Sequence, residues 1–119
     1  MGHRILVVDD EYDIRAVLRF ILQKAGYEVE EACSGAEALQ KIRQAPFSLV
    51  TMDMAMDRLD GVDTIAILNS EAKVPIVAIS AHLTDPIRSD LRARGVPHLV
   101  EKPFTREQIL VAVENALRG

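Results

Sequence analysis

The chain has 119 residues, which is enough for one domain and too few for two. Its net charge of −4 argues against direct nucleic-acid binding, because such binding uses a positive patch that releases counterions. The sequence contains neither an apolar run near the ~20 residues of a membrane span nor a signal-peptide pattern, so we expect one cytoplasmic domain over residues 1–119.

Short apolar runs alternate with helical patterns from the start of the chain. Residues 5–8 predict a buried strand, and helix-spaced apolar residues after it predict a helix that Gly26 ends. Over residues 27–32, apolar side chains alternate with glutamates, as is typical of a half-exposed edge strand. The one cysteine, Cys33, follows this strand and is expected to be a small buried thiol. Ser34 and Glu37 predict a capping box that opens a second helix.

The second half of the chain continues the alternation. Residues 49–52 predict a third strand, and Asp60 is expected to cap a third helix. Residues 76–79 predict a fourth strand, and Asp85 followed by Pro86 predicts the start of a fourth helix with few apolar residues. Residues 99–100 predict the fifth strand, and Thr105 and Gln108 are expected to cap a fifth helix.

This order of elements predicts an α/β fold. Five strand–helix units with short connections favour a single doubly wound domain, with a five-stranded parallel sheet and helices on both faces. The edge pattern of the second strand favours the strand order 2-1-3-4-5. In such sheets, ligands bind at the carboxyl ends of the strands, beside the point where the order reverses.

Polar side chains lie at the ends of four predicted strands. Asp9 and Asp10 end the first strand, Asp53 the third and Ser80 the fourth, and Lys102 follows the fifth. Each of these alone is more often a turn residue, a helix cap or a solvated charge. Together they would lie on one edge of the sheet, and this joint pattern favours a functional site.

The residue types indicate the chemistry of that site. Two carboxylates about 4 Å apart repel by roughly 4 kcal/mol at an effective dielectric near 20, so three of them need a cation. Hard oxygen ligands favour Mg²⁺ over Zn²⁺. Asp53, alone on the middle strand, is the natural nucleophile toward a phosphoryl group, with Asp9 and Asp10 as metal ligands. Lys102 would neutralise the phosphoryl group and Ser80 would donate a hydrogen bond to it.

These residues resemble the receiver domain of bacterial two-component response regulators, including the chemotaxis regulators. The resemblance spans the chain from Ile5 to Leu117. It is carried by four motifs: Val7-Val8-Asp9-Asp10, Asp53-x-x-Met56 with Asp60-Gly61, Ser80-Ala81, and Lys102-Pro103-Phe104.

The resemblance implies specific roles. Asp53 would accept a phosphoryl group from a phosphohistidine on a sensor histidine kinase or a phosphotransfer protein. Asp10, Asp53 and the backbone carbonyl of Ala55 would ligate Mg²⁺, and Asp9 would act largely through water. Lys102 would pair with the phosphoryl group. Such a domain is a signalling switch rather than an enzyme, although it catalyses its own phosphorylation and dephosphorylation.

The resemblance also implies that Ser80 moves toward the phosphoryl group and that the Lys102–Pro103 peptide is cis. The fourth helix, fifth strand and fifth helix would form the output surface, for a downstream effector or a dimer. Leu99 stands where the family commonly has an aromatic residue that reports activation by rotating, so this chain must report it differently.

Three further positions bear on rate and mobility. Asp57 stands where the family often has proline, which predicts a more mobile loop. Ala55 would leave room for water near the phosphoryl group. His82, two residues after Ser80, is either an exposed loop histidine or a residue that influences loss of the phosphoryl group.

Two other functions remain open at this point. Haloacid-dehalogenase-like phosphatases use similar residues, but their nucleophile lies in an N-terminal D-x-D motif that Asp9-Asp10-Glu11 does not match. The other alternative is an interaction module with a receiver fold that is never phosphorylated; the acidic pair, Asp53 and Lys102 argue against it.

Overall fold

The computed structural model describes residues 2–54, 68 and 73–119. Within these ranges, strands and helices alternate as the sequence pattern predicts. The strands are β1 (Arg4–Val8), β2 (Glu28–Ala32), β3 (Leu49–Asp53), β4 (Ile76–Ser80) and β5 (His98–Glu101). The helices are α1 (Tyr12–Lys24), α2 (Gly35–Gln44), α3 (Asp85–Ala93) and α4 (Arg106–Arg118).

The third helix of the sequence prediction, with its cap Asp60, lies outside the described residues apart from Leu68. Leu68 is helical and fully buried. The fourth and fifth predicted helices are therefore α3 and α4. In the described part of the chain, none of the helices is long and apolar enough to cross a membrane.

All strand pairs in the sheet are parallel, and the strand order is β2-β1-β3-β4-β5. The predicted fold class and order are confirmed. β2 is an edge strand, in agreement with its alternation of glutamates with apolar residues, and β3 lies at the centre, between β1 and β4.

Apolar side chains pack on both faces of the sheet. One core cluster joins β1, β3 and β4 to α2 and α3, with Ala38, Leu39 and Leu91 as the buried helix residues. The other cluster joins the opposite face to α1 and α4, with Leu22 and Val113 among its buried residues. The helices therefore flank the sheet on both sides, as predicted.

Local sequence signals explain where most helices begin and end. Thr105 and Gln108 form a reciprocal capping box at the start of α4. Gly26, which follows the C-cap of α1, has a φ of +100°, a backbone conformation that glycine adopts without the steric cost that a side chain incurs.

Two capping predictions need correction. Thr84, not Asp85, is the N-cap of α3, because the Thr84 hydroxyl accepts the N–H of Ile87. Ser34 caps α2 as predicted, but Glu37 accepts the N–H of Cys33 rather than that of Ser34. In α2, the side chain of Glu37 therefore caps the residue before the N-cap, Cys33, instead of the N-cap residue Ser34.

The prediction for Cys33 is wrong, because its side chain is exposed. Cys33 follows the last residue of β2, the buried Ala32, and lies in the turn into α2. Since neighbouring residues of an extended chain point to opposite sides, burial of Ala32 turns Cys33 outward.

Candidate phosphoacceptor and metal site

The register of the sheet brings the predicted site residues to one edge. Asp53 is the last residue of β3 and pairs with Ile79, and Ser80 pairs with Glu101. Val8 pairs with Met52, so Asp9 follows β1 at the level of Asp53. Lys102 follows β5 directly after Glu101. All of these residues lie at the carboxyl ends of β1, β3, β4 and β5, on one edge of the sheet.

The three aspartates form one cluster. Asp9, Asp10 and Asp53 each offer a carboxylate oxygen, and these oxygens lie within 4.8 Å of one another. Asp9 and Asp53 are buried, at 1% and 2% exposure, whereas Asp10 is exposed. The cluster therefore has two buried carboxylates and one that faces solvent.

Lys102 bridges the two buried carboxylates. Its Nζ lies 3.4 Å from Oδ1 of Asp53 and 3.7 Å from Oδ2 of Asp9. Its side chain is 18% exposed, so solvent screens these contacts little. One ammonium offsets one of the three negative charges, so among the described residues this cluster keeps an excess of negative charge.

Burial and the neighbouring charges change the pKa of Asp9. The pKa of Asp9 is raised from 3.8 to about 6. Burial is the largest cause, and the Asp53 and Asp10 charges also raise it, against the lowering effects of the Glu11 N–H and Lys102. The Glu11 N–H donates to Oδ1 of Asp9 at 2.9 Å. Oδ2 of Asp9 is one of two buried side-chain polar atoms that have no hydrogen-bond partner in the described part of the chain.

A divalent cation fits these residues. The donor set consists of carboxylate oxygens, which Mg²⁺ prefers. One of these oxygens, the buried Oδ2 of Asp9, has no hydrogen-bond partner among the described residues. A cation here would also offset the negative charge that Lys102 leaves uncompensated. Ala55, whose carbonyl the resemblance adds to this ligand set, lies outside the described residues.

Ser80 lies at the same edge but is bonded within its own loop. Its hydroxyl accepts the N–H of His82 at 3.2 Å and lies 3.4 Å from the His82 carbonyl oxygen. The Lys102 N–H donates to the Ser80 carbonyl at 2.8 Å, which ties the ends of β4 and β5 together. His82 is exposed, and its backbone rather than its imidazole holds Ser80 in this arrangement.

Leu99 lies in β5, three residues before Lys102, and is partly buried against the core cluster of α2 and α3. The Lys102–Pro103 peptide is cis, as expected from the resemblance. Leu99 thus belongs to the apolar packing on one face of the sheet.

Two residues that no sequence motif indicated lie beside the cluster: Arg15 of α1 contacts it at Asp9, and Glu31 of β2 contacts Arg15. Nη1 of Arg15 donates to the Asp9 carbonyl at 2.7 Å, and its Nε donates to Glu31 at 3.0 Å. Arg15 is six residues from Asp9 and sixteen from Glu31. Such contacts depend on how α1 packs against the edge strand, so no short motif could indicate them.

Comparison with known proteins agrees with this geometry. The family model described as "Response regulator receiver domain" matches residues 5–114. The chemotaxis protein CheY of Bacillus subtilis is 35% identical over 119 residues, covering 98% of this chain and 99% of CheY. The transcriptional regulatory protein ResD of the same organism is 31% identical, and the chain spans only 48% of its length.

A solved structure gives the same result for the fold. CheY4 of Vibrio cholerae superimposes with a TM-score of 0.92 at 28% identity, and the match covers 98% of this chain and 99% of CheY4. The relatives thus include proteins of about the length of this chain and proteins about twice as long. The chain belongs to the response regulator receiver domain family of two-component signalling.

Proposed function

We propose that this domain is a phosphoacceptor switch in which Asp53 takes a phosphoryl group, with Asp10 and Asp53 as Mg²⁺ ligands. The observation that carries the proposal is the cluster itself: three carboxylates have oxygens within 4.8 Å of one another, and Lys102 bridges two of them, Asp9 and Asp53. Membership of the receiver family and the oxygen-only donor set support it.

Each residue of the site would have a separate role in phosphoryl transfer. An Asp53 carboxylate oxygen attacks phosphorus, the P–N bond of a phosphohistidine breaks, and the leaving imidazole takes up a proton. Bound Mg²⁺ would neutralise the phosphoryl oxygens and offset the carboxylate charge. Lys102, already 3.4 Å from Asp53, would pair with the phosphoryl group after transfer. Asp9 would act through water, and the carbonyl of Ala55 would complete the ligand set.

Ser80 and its loop would carry the signal away from the site. The Ser80 hydroxyl must leave the His82 backbone to donate to a phosphoryl oxygen, and this exchange would shift the loop before α3. Among the residues of α3, Leu91 is the buried one, which makes this helix the weakly held neighbour of the loop. Phosphorylation would therefore bias pre-existing states of α3 and β5.

The output surface in this proposal comprises α3, β5 and α4. A groove of about 590 Å³ lies between these elements, lined by residues that include Arg88, Leu99 and Val111. An effector or a second copy would bind there, while a sensor histidine kinase or phosphotransfer protein would supply the phosphoryl group. A cytoplasmic location and a domain over residues 1–119 belong to the same proposal.

Two residues would modulate the lifetime of the phosphoryl group. The small side chain of Ala55 would admit water, and His82 would screen or orient that water. A longer or shorter phosphoryl lifetime in His82→Ala would support the role of His82, and an unchanged lifetime would rule it out.

Intact-mass analysis after exposure to acetyl phosphate tests the proposal. With Mg²⁺, the wild type should gain one phosphoryl group, and the isosteric variant Asp53→Asn should gain none. Lys102→Ala keeps the phosphoacceptor Asp53 and removes the Lys102–Asp53 contact. Failure of the folded wild type to gain mass would favour an unphosphorylated module, and turnover of a generic phosphate ester would favour a phosphatase.

A further inference from the structure

Arg15 joins the acidic cluster to the edge of the sheet. Its guanidinium donates to the backbone carbonyl of Asp9 through Nη1 and to Glu31 through Nε, at 2.7 and 3.0 Å. It also lies over the ring of Tyr12, with 5.7 Å from Cζ to the ring centroid. The planar fork of arginine makes these contacts in two directions at once, which a lysine could not do.

Glu31 holds the far end of this connection. Its Oε1 accepts from Arg15 and its Oε2 pairs with Arg19 at 2.5 Å, so both oxygens are occupied. The Glu31 and Arg15 side chains are 20% and 14% exposed. An ion pair this shielded keeps its geometry better than a surface pair, and it connects α1 to β2 directly beside the site.

Arg15 affects the site through the carbonyl group that it contacts, that of Asp9. The Asp9 carbonyl belongs to the peptide unit that joins Asp9 to Asp10. Because a peptide unit is planar, the direction of that carbonyl fixes the direction in which the chain enters Asp10. The Asp9 N–H donates to Ala32 and its Oδ1 accepts from Glu11, so Arg15 completes the restraint at the one remaining backbone group of Asp9.

We infer that Arg15, braced by Glu31, is a positioning residue that aligns the Asp9 and Asp10 carboxylates for a divalent cation. The inference rests on the proposed function, because it concerns the same Mg²⁺ site. Outer residues that orient metal ligands typically change metal affinity by about 10- to 100-fold when they are lost.

Electrostatics alone predicts the opposite sign for Arg15. An arginine beside a cation site repels the cation, so removing its charge should tighten Mg²⁺ binding if Arg15 acts only through its charge. If Arg15 acts by positioning, removing it should weaken binding despite the loss of a repulsive charge. The direction of the change therefore separates the two roles.

Titration of the protein with MgCl₂, followed by ¹H–¹⁵N NMR, measures whether the Mg²⁺ Kd rises or falls. The same spectra show whether each variant is folded. We expect Arg15→Gln to raise the Mg²⁺ Kd by about tenfold and Glu31→Gln to raise it by a smaller factor. The matched controls are Arg4→Gln and Glu30→Gln, which break the neighbouring β1–β2 ion pair without touching Asp9. Their Kd values should stay within about twofold of the wild type.

Arg15→Lys provides a second variant if Arg15→Gln fails to fold. It keeps the charge but can reach only one of the two partners, so it should also weaken Mg²⁺ binding. An Mg²⁺ Kd in the Arg15 variants equal to or below that of the wild type would overturn the inference while leaving the proposed function intact. Absence of saturable Mg²⁺ binding in the wild type would overturn the proposed function, and the inference with it.

Discussion

At the scale of single residues, Asp9 carries the clearest electrostatic signature of the site. Its carboxylate is almost fully buried, beside two other carboxylates and one ammonium. Burial is the largest cause of its raised pKa of about 6. The folded protein therefore binds a proton at Asp9 more readily than the unfolded chain does, so between pH 7 and pH 4 this group stabilises the cation-free protein increasingly as the pH falls.

A bound cation would oppose that dependence, because its positive charge near Asp9 favours the ionised carboxylate. We predict that the Mg²⁺ affinity is nearly constant above pH 7 and falls by about tenfold for each pH unit below 6, as one proton competes with the cation. The measurement is the Mg²⁺ Kd at several pH values between 5 and 8.

Asp9→Asn is the control for that titration. Asparagine keeps an oxygen that accepts the Glu11 N–H but has no proton to exchange in this range. The fall in affinity near pH 6 should be weaker in this variant than in the wild type. A fall of the same size in both would assign the proton to another group.

The gathering of the proposed site residues at one edge was predictable because each lies at or just after the end of a strand. Parallel strands end at one edge, so Asp9, Asp53, Ser80 and Lys102 could be placed together from their positions alone. Arg15 could not be found in this way, since its contacts span two elements that meet only after α1 packs on the sheet.

At the scale of secondary-structure elements, the helix caps differ measurably in quality. At the start of α4, Thr105 accepts the Gln108 N–H at 3.1 Å and Gln108 accepts the Thr105 N–H at 2.8 Å. At the start of α3, Thr84 accepts the Ile87 N–H at the longer distance of 3.5 Å. The reciprocal cap satisfies two backbone groups and the single cap satisfies one, weakly.

We predict that Thr105→Ala lowers the free energy of unfolding by about 1 kcal/mol and that Thr84→Ala lowers it by less than half of that. Urea denaturation of the two variants and the wild type measures both values. Equal losses, or a larger loss from Thr84→Ala, would contradict the ranking of the two caps. The comparison also reports how firmly α3, the proposed moving element, is held at its start.

Element boundaries were less predictable than element types. The sequence placed the cap of α3 at Asp85, one residue too late, because Thr84 and Asp85 are both good capping residues and Pro86 is acceptable at either of the first two helical positions. Cys33 was expected to be buried on residue type alone, and the alternation of the strand turned it outward. The N-cap position of α3 and the exposure of Cys33 were therefore both determined by neighbouring residues.

At the scale of the whole molecule, the order of the elements determined the fold. Five short apolar runs separated by helical patterns permit few arrangements, and the edge character of β2 selected one of them. The same topology collects the carboxylates at the reversal point between β1 and β3. We therefore propose that this edge of the sheet forms a single cation site.

Crystals of the protein soaked in MnCl₂ provide the most direct measurement of that claim, because Mn²⁺ accepts the same oxygen ligands as Mg²⁺ and scatters anomalously. The anomalous difference map should show one strong peak within coordinating distance of the Asp10 and Asp53 carboxylates, and the peak should disappear in Asp53→Asn. A map with no peak at this edge, or with its strongest peak elsewhere on the molecule, would contradict the account.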